Sequence, residues 1–140
     1  MSNLSMFFAQ NVVAAIEESV VVSDRFKDKD GKPVPWTIRS ITEEENEACR
    51  KAATRKVKVN KVVGIPETNF EEYQARLAVA SVVYPDLKDA ELQKSYGILG
   101  AEKLLAKMLL PGEYATLQES VQRINGFDRD INELKDDVKN

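Results

Sequence analysis

The run from Val20 to Ile41 limits what this chain can fold into more than any other. Two strand-forming stretches, Val20 to Phe26 and Pro35 to Ile41, flank Lys27-Asp28-Lys29-Asp30-Gly31-Lys32-Pro33-Val34. The Asp30-Gly31 pair supplies a positive φ at little steric cost, and Val22, Asp24 and Phe26 alternate with Val21, Ser23 and Arg25 at the strand period. An antiparallel hairpin is the expected result. A hairpin alone is marginal in water, so Phe26, Trp36 (the only tryptophan) and Ile38 need a partner surface from later in the chain.

That later chain reads as helices. Thr42-Glu43-Glu44-Glu45 has the form of a capping box, opening a helix through Cys49 to about residue 53. Acids crowd its first turn and Arg50, Lys51 and Arg55 gather at its end, the order a helix dipole favours. Cap and dipole account for these acids without a metal or an acid/base pair. Lys56 to Pro66 alternates at period two, either a short strand or an extended connector. With Arg50, Lys51 and Arg55 it is the most basic stretch, either a lysine-guarded edge or a docking surface for an acidic partner.

Thr68 to Glu71 reads as a second capping box, opening a helix with Phe70, Tyr73, Leu77, Ala80 and Tyr84 on one face and Pro85 at its end. Asp86 or Asp89 caps a short helix toward Tyr96, stopped by Gly97. Ala101, Leu104, Leu105 and Met108 mark the next, closed by Pro111-Gly112. Tyr114, Leu117, Val121 and Ile124 mark another, ended by Asn125-Gly126. The expected fold is α+β, mainly α, with an N-terminal antiparallel hairpin packed on short helices. Its core comprises Phe26, Trp36, Ile38, Leu77, Leu104, Leu105, Leu117 and Val121.

Three segments follow: an arm or helix over 1–19, a single globular domain over 20–126 (hairpin 20–41, helical part 42–126), and an amphipathic tail over 127–140. In the arm, Met6, Phe7 and Phe8 are candidates for binding a partner, with core packing as the competing fate of Phe7 and Phe8. In the tail, Phe127, Ile131, Leu134 and Val138 form a narrow apolar stripe that either lies on the domain or receives a partner helix.

The chain has 140 residues, a net charge of −3 and no histidine. One such domain buries enough surface to fold without a metal or disulfide. The missing histidine removes the commonest general base and metal ligand, and the acidic balance disfavours phosphate-driven nucleic-acid binding. Asp24, Asp28 and Asp30 before Gly31 lack the ligand spacing of a calcium loop, and Gly97 and Gly100 lack the rest of a phosphate-binding loop. No cofactor, catalytic residue or metal site is expected. The single Cys49 reads as a small hydrophobe, and the apolar stretch from Met6 to Ile16 is too short and polar to cross a bilayer, so a cytoplasmic protein is expected. The rival class is a DNA-binding helix-turn-helix regulator over Asp89 to Met108, where only Lys103 and Lys107 would face phosphates.

Several blocks in order carry a further resemblance: Ser23-Asp24-Arg25-Phe26-Lys27-Asp28, Gly31-Lys32-Pro33-Val34, Trp36-Thr37-Ile38-Arg39, Ile41-Thr42-Glu43-Glu44-Glu45, Tyr84-Pro85-Asp86-Leu87-Lys88-Asp89, Pro111-Gly112-Glu113-Tyr114 and Ile124-Asn125-Gly126-Phe127. In these the chain resembles the small tail assembly chaperones of PBSX-like contractile-tailed phages and prophages. The resemblance implies a non-enzymatic product of a bacterial host's cytoplasm that binds the tape measure protein, assists the tail tube protein and is absent from the finished virion. It also implies a longer frameshifted form, for which Val138-Lys139-Asn140 fits a slippery codon run; a plain polar tail is the alternative. Self-association is a further option, and neither nucleic acid nor membrane is expected as a partner.

Overall fold

The computed structural model describes residues 3–13, 15–59 and 61–127. Its centre is a three-stranded antiparallel sheet in the order β1 (Glu17–Val20), β2 (Trp36–Arg39), β5 (Val82–Tyr84). The hairpin is present, but its first strand lies earlier than the period-two pattern of 20–26 suggests: Glu17 pairs with Arg39 and Val20 with Trp36. Residues 21–26 leave the sheet because the Ser23 hydroxyl accepts from Arg25 N at 3.0 Å, bending the chain. The Asp30-Gly31 turn closes the far tip of this long connection. There the Asp28 carboxylate accepts from Asp30 N and Lys32 N at 2.8 and 3.0 Å, with Gly31 at φ 78°. These contacts bear out Asp28 as a turn former.

Five α-helices follow among the described residues. In α1 (Glu43–Ala52) the Thr42 capping box forms as expected, with Glu45 N donating to the Thr42 hydroxyl and Thr42 N to the Glu45 carboxylate. The basic stretch then makes a second hairpin, β3 (Thr54–Val59) with β4 (Val62–Thr68), rather than one strand or a connector. Asn69, not Thr68, caps α2 (Phe70–Ser81), accepting from Glu72 N at 3.0 Å. Thr68 ends β4, and its hydroxyl lies 2.6 Å from that of Thr54.

The helical face expected to reach Tyr84 stops at Ser81. The Val82-Val83-Tyr84 run that follows is β-branched and aromatic, and it pairs with the open edge of β2. Asp89 is the cap of α3 (Ala90–Ser95), while Asp86 bonds Lys88 N in a turn. Pro111-Gly112, expected to close α4 (Ala101–Met108), instead opens α5 (Pro111–Ile124), where proline's missing N–H is no loss.

Every residue expected in the core is buried except Phe26, which is partly buried and packs against it. Trp36 and Ile38 alternate with Thr37 and Arg39 on β2 and so point to one face, where Leu77 of α2, Leu104 and Leu105 of α4, and Leu117 and Val121 of α5 join them in one cluster. Asn125, just past α5, holds three elements together. Its carbonyl accepts from Ile41 N at 2.8 Å, and its amide donates to Ser81 Oγ and Val121 O.

Candidate partner-binding site

Residues 3–13 and 15–16 carry no charged side chain and enter the domain at the edge strand β1. Two short 3-10 turns, Leu4–Phe7 and Ala9–Asn11, fold the segment on itself, with Phe8 N bonded to Ser5 O and the Asn11 amide donating to Ser5 O at 2.8 Å. The anchor to the domain is a pair of bonds, Ile16 N to Ser40 Oγ and Ser40 N to Ile16 O, at 2.9 and 2.8 Å. Phe8 is extended (φ −65°, ψ 144°), which breaks any continuous helix at the centre of the arm.

Core packing of Phe7 and Phe8 is overturned: they are 76% and 45% exposed, and Met6 beside them is 65% exposed. Val12, Val13 and Ile16 continue the exposed apolar surface down to the sheet edge. A run of large apolar side chains left in water next to an open strand edge is a feature of association surfaces.

At the other end, α5 finishes in a left-handed cap. Gly126 has φ 79°, Gly126 N bonds Arg123 O, and Phe127 N reaches back to Gln122 O at 3.0 Å. The described chain ends at Phe127, half-exposed beside this cap; Ile131, Leu134 and Val138 lie outside the described residues.

Sequence reasoning missed a third surface. Between the 21–35 connection, β5 and α3 lies a cleft of about 420 Å³, lined by Phe26, Trp36, Tyr84, Leu92, Tyr96 and Met108. The Phe26 and Trp36 rings stand 6.1 Å apart, and Arg25 lies over Phe26 at 5.2 Å from its centroid. Its rim is fixed by Arg25, which forks onto Glu113 of α5 (Nε to Oε2 3.0 Å) and donates to Met108 O at 2.9 Å. The Arg25 guanidinium, helped by Ser23 and by Leu110 N, pulls the Glu113 carboxyl down to about 2. Tyr84 was expected on the buried face of a helix. Its Val-Val-Tyr context marked a strand, but no local signal could bring it beside Phe26 and Tyr96.

A second fork, Arg39 onto Glu45, likewise lowers the Glu45 carboxyl to about 2 and ties β2 to the cap of α1. These acids are structural. Burial pushes the Cys49 thiol up, which keeps it protonated and poorly nucleophilic. Among the described residues, no three Cys, Asp or Glu side chains converge as metal ligands would. Among them too, no helix is long and apolar enough to cross a membrane. The α4 segment proposed as a recognition helix commits Ala101, Leu104, Leu105 and Met108 to the core.

Comparison with known proteins agrees with the arrangement. A profile of the family described as "Phage XkdN-like tail assembly chaperone protein" matches residues 4–139. The protein YqbN of Bacillus subtilis strain 168 is 33% identical over 139 residues, covering 99% of this chain and 93% of that protein. The phage-like element PBSX protein XkdN of the same strain is 30% identical over 139 residues, with 99% and 94% covered. The crystal structure of YqbN superposes with a TM-score of 0.78 at 30% identity, covering 91% of this chain and 99% of that one.

Proposed function

The chain belongs to the phage XkdN-like tail assembly chaperone family, and from that premise we propose that it binds the tape measure protein and keeps it soluble while the tail tube assembles. A tape measure is a long helix whose apolar stripe would associate with other copies. Covering that stripe needs only complementary apolar surface, at roughly 25 cal/mol per Å² removed from water, and no chemistry.

The observation that supports this reading is the uncharged N-terminal segment, where Met6, Phe7 and Phe8 stand exposed close together in sequence, whereas Phe70, Leu99 and Leu110 are exposed singly elsewhere on the domain. The stripe of Phe127, Ile131, Leu134 and Val138 is the second contact we assign to the tape measure. The tail tube protein is the further partner, reached through a longer frameshifted form. In this reading the chaperone acts in the cytoplasm of the bacterial host and is left behind when the virion is complete.

Co-expression with the tape measure protein and affinity capture tests the proposal. Replacing Phe7→Ser and Phe8→Ser together removes two aromatic anchors, each contributing about 1.5–3 kcal/mol when fully buried, so capture should weaken at least about tenfold. The fold should persist, since neither ring belongs to the core. Capture of the tape measure at the native level by this variant would remove the arm from the reading, and no capture by the native chain would end it.

A further inference from the structure

The positive charge of this molecule collects on the β3–β4 hairpin. No acid lies between Glu47 and Glu67, while Arg50, Lys51, Arg55, Lys56, Lys58 and Lys61 all do. Outside this span fourteen cations stand against twenty-three acids, a net of −9 in a chain whose total is −3. The two arginines are occupied: Arg50 pairs with Glu47 on its own helix, and Arg55 forks onto Glu72 at 2.8 and 3.2 Å. Lys51, Lys56, Lys58 and Lys61 meet no carboxylate among the described residues.

The register separates two faces. Val57 pairs with Ile65 but Lys58 with Val63, so Gly64 is an extra residue in β4 and β3 alternates without interruption. Thr54, Lys56 and Lys58 therefore share one face, opposite the face of Arg55 and Val57. The last turn of α1 brings Arg50 and Lys51 to the lysine face. Together with Glu47 they border an open groove of about 380 Å³ whose lining also includes Thr54, Lys56 and Pro66 and reaches the paired Arg55, with Lys58 further along the strand outside it.

We propose that this lysine face docks a carboxylate-rich segment of a protein partner. Guarding a sheet edge relies on charged side chains of the edge strand itself. Here a separate helix adds Lys51, a cation outside the strand, to the same face, which edge protection does not require. A nucleic acid fits less well: Glu47 also borders the groove, and a duplex would bring a continuous line of phosphates against a body of net −9. A short acidic segment stays within about one Debye length, roughly 8–10 Å, of the lysines and feels chiefly them. The proposal is independent of the tape-measure assignment, which rests on the arm and the tail.

The test uses the full chain and a labelled, Glu-rich synthetic peptide of about six residues, followed by fluorescence anisotropy. Reversing Lys51→Glu, Lys56→Glu and Lys58→Glu should weaken peptide binding at least about tenfold, as should raising salt to roughly 300 mM. Reversing Lys27, Lys29 and Lys32 in the first hairpin turn changes net charge equally and should leave binding within about twofold. A neutral set, Lys51→Gln, Lys56→Gln and Lys58→Gln, should give an intermediate loss, and circular dichroism verifies that each variant is folded. Equal loss in both charge-reversed proteins, no peptide binding by the native chain, or tighter binding of a DNA duplex than of the peptide would each overturn the proposal.

Discussion

Glu113 and Arg25 meet across 88 residues of chain, and their ion pair makes stability depend on pH. The folded carboxyl titrates at about 2, against 4.5 when unperturbed. A depressed carboxyl contributes stability that is complete above the unfolded value and is lost as pH falls toward the folded one. The urea midpoint of the native chain should therefore drop between about pH 5 and about pH 2. In Glu113→Gln the acid limb should flatten, with a lower midpoint at neutral pH that converges on the native value near about pH 2. Glu45, held down by Arg39, leaves a residual acid slope in that variant. Parallel acid limbs for the two proteins would show that the pair adds nothing. At this scale the core was readable, since Trp36, Ile38, Leu77 and Leu104 announce their burial by type and spacing. The Arg25 fork was not, because nothing local links a loop arginine to a first-turn glutamate so far along the chain.

Elements were readable where the signal is chemical and displaced where two signals compete. The Thr42 capping box and the Asp28 to Gly31 turn formed where the residues called for them, because each is satisfied within four residues. Thr68 and Asn69 both offer a cap. The strand won Thr68, whose hydroxyl serves a cross-strand contact with Thr54, and left the helix to Asn69. Asn69→Ala should then destabilise the domain by about 1 kcal/mol, while Asn69→Asp stays within a few tenths of the native value in a denaturant titration. An alanine variant as stable as the native protein would return the cap to Thr68. The same competition explains β5: the apolar face of α2 continues in helical spacing to Tyr84, but the free edge of β2 pairs with Val82-Val83-Tyr84 and ends the helix at Ser81. Helical periodicity gives no sign of an unpaired strand edge waiting elsewhere in the fold.

Among the described residues, a packed core is combined with exposed large apolar side chains in the N-terminal segment and at Phe127, and with single ones at Phe70, Leu99 and Leu110. Asn125 joins the start of α1, the end of α2 and the end of α5, and among the described residues the core cluster ends before Phe127. Removing residues 127–140 should accordingly leave the thermal midpoint within a few degrees of the native value, roughly the effect of losing under 1 kcal/mol at this size. The same truncation should reduce capture of the tape measure protein, because it deletes the stripe of Phe127, Ile131, Leu134 and Val138. The two readouts separate the alternatives that sequence left open for this segment. A large fall in the midpoint means that the stripe covers the domain; a native midpoint with weakened capture means that it serves a partner. Full capture with a native midpoint removes the stripe from the interaction and leaves it to the Phe7→Ser and Phe8→Ser variant to test the arm, whose exposure the sequence could not decide because an uncharged run of this length suits a buried strand as well as an arm in solvent.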